Sequence, residues 1–398
     1  MRGGFSAREG IAMRDYEAVL KRVKAKIDRR MEKNDPASYK YEMGIADKDG
    51  NYAKDACSFD EWTGWTRSFL TGAVAYMYYH YKEEKYLDYL KKELSAYRRY
   101  LRENRHHFFH DIGFLFALCP GALYELTGDE EAYELNMEAA NEFVKGFVPT
   151  VGMFNGFGDI GDEFVNPIID DMMNITLMMW AWRKTKHPTF YSLFDSHIRV
   201  VRQYMMREDF TYRHSYLFDS VSGRPIGECN YCGNAPGSVW SRGQMWALYS
   251  VVSVLKATDE KKKYAGLLGG QLLALLDMMG DDKVPLWDFR CLTEETESRD
   301  SSAAAVFAAA LLKINQINDA DKIPFAGRAK DYMHIGEEVL DELIDKYMLG
   351  DDSDACLDKG QAGKDQLGCV WGDYFFVEAL MRRVHGNDCP DFFIGKEN

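Results

Sequence analysis

Two kinds of helical segment alternate along this chain, and that alternation limits what it can fold into. Strand patterns are nearly absent, while apolar residues recur with a helical period almost throughout. Amphipathic segments cover roughly 15–31, 84–103, 129–148, 188–207, 259–279 and 329–347. Apolar ones cover 65–81, 111–127, 168–184, 240–257, 301–314 and 369–383. An amphipathic helix has one wet face, whereas a helix apolar all round is buried. Six of each in strict alternation predict an all-α (α/α)6 barrel of six inner and six outer helices. A helical solenoid is the competing architecture, and the irregular hairpin period argues against it. The reading is one barrel over 14–390, with 1–13 a loose N-terminal extension and 369–383 the last ordered helix.

The longer connections precede the apolar helices, so they gather at one mouth. Each inner helix opens on a polar or aromatic cluster: WTGWTRSFLTG (62–72), HDIGF (110–114), IIDDMMN (168–174), VWSRGQMW (239–246), RDSSAAA (299–305) and CVWGDYF (369–375). Six such clusters converging on one funnel describe a concave ligand site.

Within IIDDMMN, Pro167 suits a first helical turn, and the acids lie where a helix N-terminus stabilises negative charge. A carboxylate on an otherwise apolar helix is costly unless something uses it. Asp111 and Asp170 occupy equivalent places on consecutive inner helices and are expected to face each other. Two carboxylates can divide general acid and base work. The plainer reading makes Asp111 and Asp171 helix caps. Aromatic residues are 14% of the chain, and Trp65, Trp240, Trp246 and Trp371 fall at the mouth. Flat rings suit the C–H faces of sugars, and Trp65 and Trp246 lie closest to polar residues; core packing is the alternative. Arg242 can grip a ligand carboxylate in a bidentate fork or make an internal salt bridge to Asp111, Asp170 or Asp300. His214 lies in a loop leading to this mouth, and His110 adjoins Asp111.

A net charge of −14 argues against nucleic acid and anionic membrane as partners. No apolar run reaches the length of a membrane span, and the N-terminus shows no export-signal pattern. The eight cysteines lack framework spacing and read as reduced thiols of a cytoplasmic protein. Cys229 and Cys232 form a single CxxC, weak grounds for a metal site. No phosphate loop, nucleophile elbow or HExxH is present, so the expectation is catalysis without metal or cofactor.

HDIGF, IIDDMMN, WSRGQMWALY, VPLWDF, RDSSAAA and WGDYFFVEAL, in that order between Trp65 and Arg383, resemble glycoside hydrolase family 88, the unsaturated glucuronyl hydrolases. The resemblance implies an (α/α)6 barrel acting on the unsaturated uronic acid that polysaccharide lyases leave at a non-reducing end. It implies hydration of the C4=C5 vinyl ether rather than direct displacement at the glycosidic bond. Asp170 then matches the general acid/base and Asp111 the second essential aspartate. Trp65, His110, His214, Arg242 and Trp246 match substrate positions, and Asp171 is left as a cap or loop anchor. Three departures stand out. Cys232 replaces a substrate-contacting Gln. The tryptophan usual before IID is absent, leaving Phe154 or Phe157 to stand in. Of a sulfate-recognising set of two serines and a lysine, only Lys364 remains. The alternatives are the related unsaturated rhamnogalacturonyl hydrolases, acting on pectin fragments, and a non-catalytic sugar-binding barrel.

Overall fold

The computed structural model describes residues 14–103, 110–157, 161–290, 298–318, 320, 329–362 and 365–397. The proposed N-terminal extension (1–13) and Lys364 lie outside the described residues. Twelve helical runs alternate as the pattern predicts. The outer ones are Tyr16–Lys33, Glu84–Glu103, Glu130–Val144, 188–205, Lys261–Met279 and Ala329–Lys346. The inner ones are Ser68–Tyr81, 112–127, 171–185, Ser241–Ala257, Ser301–Lys313 and Val370–His385. Each inner helix packs on the next and the sixth on the first, so the ring closes into an (α/α)6 barrel. Every residue of Ser301–Lys313 is buried, as a helix apolar all round requires. Glu84–Glu103 instead buries one face, including Tyr86, Leu90, Leu94, Tyr97 and Leu101.

Tight turns join the first four inner helices to the outer helices that follow. Gly128 (φ 75°) ends one helix, and the next residue, Asp129, caps the following helix at the Ala132 N–H, 3.0 Å away. Lys82 and Lys186 turn the corresponding corners with positive φ. The long links that precede the inner helices collect at their N-termini and form the mouth.

Two features lie outside the helical pattern. Strands are present: nine short ones, of two to five residues, occur among the described residues. They are too short for a period of two to register in the sequence. They form antiparallel hairpins in the mouth loops, and one three-stranded sheet joins Phe164–Val165, Ser215–Asp219 and Pro225–Cys229. Second, order does not stop at Arg383. Phe392, Phe393 and Ile394 are fully buried at the inner-helix C-termini. The Phe393 ring lies parallel to Phe375 (6.1 Å between centroids, 5°) and edge-on to Phe114. Burying each such side chain contributes about 1.5–3 kcal/mol. Beside them Asp391 accepts from Lys313 at 2.7 Å and from Lys256 at 3.1 Å, locking the tail across the closed end of the barrel. Three apolar residues carry no period, so the sequence did not announce this plug.

Candidate active site

The second and third inner helices start unusually close together. A Cβ on Gly113 would lie 2.4 Å from the Asn174 carbonyl oxygen, so only glycine fits there. This approach brings Asp111 and Asp170 to one place. Both stand at N-cap positions, and neither side chain caps its helix. Asn174, fully buried, takes over that task for Asp111: its Oδ1 accepts from the Phe114 N–H at 2.9 Å. Its Nδ2 donates to Asp111 Oδ1 at 3.1 Å and to the Asp170 carbonyl at 3.3 Å. The start of the third helix is closed by its own backbone, with the Asp171, Met172 and Met173 N–H groups donating to the Ile168, Ile169 and Asp170 carbonyls. Asp171 anchors the loop as expected, its Oδ2 accepting from the Ile168 N–H at 3.0 Å. The Asp111 and Asp170 carboxylates are thus spared from capping.

Two histidines address these acids. His110 Nε2 lies 3.2 Å from Asp111 Oδ2. Burial opposes a charge on this ring, but Asp111, with Asp171 and Asp170 behind it, outweighs burial and raises its pKa to about 9. His214 Nε2 lies 3.6 Å from Asp170 Oδ2, which has no hydrogen-bond partner among the described residues. Burial opposes a charge on the His214 ring, while Asp170 and Cys232 favour one. The Tyr231 and Cys232 amides both donate to His214 Nδ1, at 3.0 and 3.1 Å. Those direct contacts oppose a proton on Nδ1, so we assign the Nε2–H tautomer, its proton toward Asp170. His214 is far from Asp170 in sequence, and the sheet brings it there. Its carbonyl accepts from the Ile169 N–H at 2.8 Å, and Ser215 bridges to Ile168. Gln244 fixes the same loop from the fourth inner helix, accepting from the Tyr212 N–H (2.7 Å) and donating to the Tyr212 carbonyl (2.9 Å).

Arg242 opens the fourth inner helix between Trp240 and Trp371, its guanidinium carbon 4.7 and 5.3 Å from their ring centroids. The internal salt bridge is real, and Asp300 is the partner: Nη1 donates to Asp300 Oδ2 at 2.9 Å and to the Gln361 carbonyl at 2.8 Å. Asp300 also caps its own helix at Ser302 and Ala303. Only Nη1 is used in this way among the described residues, which leaves Nη2 and Nε as donors. Trp65 is half-buried and stacks on Trp371 (5.0 Å, 28°), giving a flat aromatic wall.

Trp246 does not join that wall. It lies one turn below Arg242, 1% exposed, packed on Phe114 and Phe375. It forms the floor, with an indole N–H that has no partner among the described residues. Of the two phenylalanines before IID, Phe154 is buried and stacked on Phe143, whereas Phe157 is 41% exposed. Phe157 stands edge-on to His110 (5.4 Å) and Tyr231 (5.0 Å) and takes the rim position. Cys232 is exposed on the same rim, its carbonyl accepting from Trp287 Nε1 at 3.0 Å. The sequence reading left Asn174, Gln244 and Tyr231 without a role. For Asn174 a signal existed, since it follows Asp170 by four residues and so shares its helix face. Among the described residues no three His, Cys, Asp or Glu side chains converge to hold a metal ion.

The mouth therefore presents two uncapped carboxylates, two imidazoles and a guanidinium with spare donors beside an aromatic wall. Residues 39–338 match the model of Glycosyl Hydrolase Family 88. The chain belongs to this family. It is similar to the unsaturated glucuronyl hydrolase of Bacillus sp. (strain GL1), at 29% identity over 339 residues, 81% of this chain and 87% of that one. The unsaturated chondroitin disaccharide hydrolase of Streptococcus pneumoniae (strain ATCC BAA-255 / R6) is 27% identical over 334 residues, 80% of this chain and 82% of that one. The crystal structure of the Bacillus sp. GL1 enzyme shares the fold of this family 88 chain with a TM-score of 0.83 at 24% identity, covering 96% of this chain and 100% of that one.

Proposed function

We propose that this family 88 chain is a hydrolase that removes the 4-deoxy-4,5-ene glucuronic acid from the non-reducing end of lyase-generated, glycosaminoglycan-type oligosaccharides. The observation that carries the reading is the Asp111–Asn174–Asp170 arrangement, in which both carboxylates are held at helix starts and excused from capping. Asp170, the less buried acid, with an oxygen that has no hydrogen-bond partner among the described residues, protonates C4. Water then adds at C5, and the hemiketal opens to release the aglycone. Asp111, neutralised by His110 and oriented by Asn174, positions that water. The spare donors of Arg242 take the uronate carboxylate, and Trp65 with Trp371 stacks on the ring. Phe157, Tyr231 and Cys232 meet the aglycone. The seven described cysteines are all free, which supports a place in the cytoplasm.

Loss of vinyl-ether absorbance on unsaturated chondroitin or hyaluronan disaccharide tests this directly. Asp170→Asn is expected to lower kcat on the order of a thousandfold, within the range for a lost general acid. Wild-type turnover by that variant would remove Asp170 from its role. An unsaturated rhamnogalacturonyl disaccharide in the same panel separates the pectin alternative, and tight binding without turnover on every substrate would point to a non-catalytic barrel.

A further inference from the structure

Asn166 has no task in the chemistry above, yet it ties three segments of the mouth together. Pro167 follows it and confines its backbone to an extended conformation. Its N–H donates to Asn155 Oδ1 at 2.8 Å, and its carbonyl accepts from the Gly156 and Phe157 N–H groups, both at 3.2 Å. The side-chain amide is pinned as well. Its Oδ1 accepts from the hydroxyl of Ser215, which is fully buried, so Nδ2 faces the rim and donates to the Tyr231 hydroxyl at 2.5 Å. Ser215 follows His214 in the chain. Tyr231 is exposed, its ring edge-on to His214 at 5.7 Å. Asn166 is the one hydrogen-bond partner of that hydroxyl among the described residues. The downstream half of the same loop is held elsewhere, with Trp287 Nε1 on the Cys232 carbonyl at 3.0 Å and the Asn234 N–H on Asp288 Oδ2 at 2.9 Å. An exposed tyrosine without a tie samples several rotamers, so the place of Tyr231 depends on Asn166.

We propose that Asn166 is a positioning residue that sets the tautomer of His214, acting through Tyr231. The inference rests on the reading of Asp170 as the proton donor. The Tyr231 and Cys232 amides point at His214 Nδ1 from 3.0 and 3.1 Å, which leaves the ring proton on Nε2, 3.6 Å from Asp170 Oδ2. Once the Tyr231 amide swings away, Nδ1 can carry that proton and a bare Nε2 is turned to Asp170. A bare imidazole nitrogen there competes for the proton that C4 needs. With the latch closed, Asp170 stays the acid, and an N–H faces the carboxylate it becomes. Latch and acid share one segment, residues 166–170, and the Ile169 N–H between them holds the His214 carbonyl at 2.8 Å.

Two variants test this from either side. Tyr231→Phe removes the hydroxyl and keeps the ring; Asn166→Ala removes the amide. Each should lower kcat on unsaturated chondroitin disaccharide about tenfold, and the double variant should be no slower than the slower single one, because both cut the same connection. Losses that multiply to about a hundredfold would mean two unrelated effects and would overturn the proposal. Nitrogen NMR of the labelled, unliganded protein reads the tautomer without turnover, the His214 signals being assigned by their absence from His214→Gln. Wild type should show a protonated Nε2 and a bare, hydrogen-bonded Nδ1, and in both single variants the Nδ1 signal should move toward that of a protonated nitrogen. A wild-type Nδ1 already protonated, or an Nδ1 signal unmoved in Tyr231→Phe, would overturn the proposal, and Tyr231→Phe decides alone if Asn166→Ala fails to fold. If no unsaturated disaccharide is turned over, that result sinks the reading of function, and the nitrogen spectra still decide this one.

Discussion

Asn174→Ala would separate the geometry of the acid pair from its chemistry. Asn174 does two things at once: it caps the second inner helix at Phe114 and it holds Asp111. Deleting the side chain leaves a buried N–H without an acceptor, which costs about 1–3 kcal/mol. It also removes a charge-assisted bond of about 1.5 kcal/mol or more from Asp111. Asp111 can then turn onto the Phe114 N–H, the ordinary geometry of an N-cap aspartate, and recover about 1 kcal/mol. The net loss of stability is therefore modest, about 1.5–3.5 kcal/mol. The loss of activity is not, because the carboxylate has left the substrate for its own helix. We expect kcat to fall on the order of a hundredfold or more, with the protein still folded. Asn174→Asp sharpens the assay. It keeps the acceptor for Phe114 but sets a second carboxyl against Asp111, and it can donate only when protonated. Its activity should recover as pH falls from about 7.5 to 5, relative to wild type, whereas the Ala variant should not. The reasoning fails if folded Asn174→Ala keeps more than about a tenth of wild-type kcat, or if the Asp variant shows the same deficit at both pH values.

Three other outcomes follow from neighbouring features. Arg242→Lys keeps a charge near Asp300 but loses the planar fork; KM for the unsaturated disaccharide should rise on the order of tenfold, with kcat changed less. Asp391→Asn leaves Lys313 and Lys256 buried without their shared carboxylate, and chemical denaturation should show a loss of about 3–5 kcal/mol at neutral pH. Burial already pulls Lys313 down to about 7, against the attraction of Asp391, so raising the pH to 9 should return part of that loss. His197 is fully buried, and burial holds it near 3. The unfolded chain takes up a proton below about 6.5 that the folded chain refuses, so stability should fall by about 1.4 kcal/mol per pH unit from there toward pH 3. His197→Asn should flatten that slope in pH-dependent melting.

What could be read from the chain, and what could not, divides along physical lines. The ring was legible because each helix carries its own burial pattern over a dozen or more residues, and alternation between neighbours needs no knowledge of distant contacts. Asp111 and Asp170 were legible for a related reason: a carboxylate opening an apolar helix is conspicuous wherever it occurs. The plug at Phe392–Ile394 and the strands of the mouth are each too short to carry a period. Trp246 was misplaced because one helical turn separates a mouth residue from a floor residue, and the sequence holds no depth marker beyond that count.

The contrast between Asp111, Asp170 and Asp171 shows where a local reading runs out. All three acids stand at or within one residue of a helix start, where capping is the default use of a short carboxylate. Only Asp171 is used in that manner, and it reaches back to Ile168. What releases Asp111 is an amide contributed by the next helix, and that substitution is possible only because Gly113 lets the two backbones touch. The glycine, the asparagine and the acids form one device: close approach supplies a cap in trans, and the cap in trans leaves a carboxylate for chemistry. On this argument Gly113→Ala should act like Asn174→Ala. It removes no polar group, yet by forcing the helix starts apart it should return Asp111 to capping and lower kcat far more than its thermal stability would suggest. A Gly113→Ala protein with wild-type turnover would show that the site does not depend on the approach.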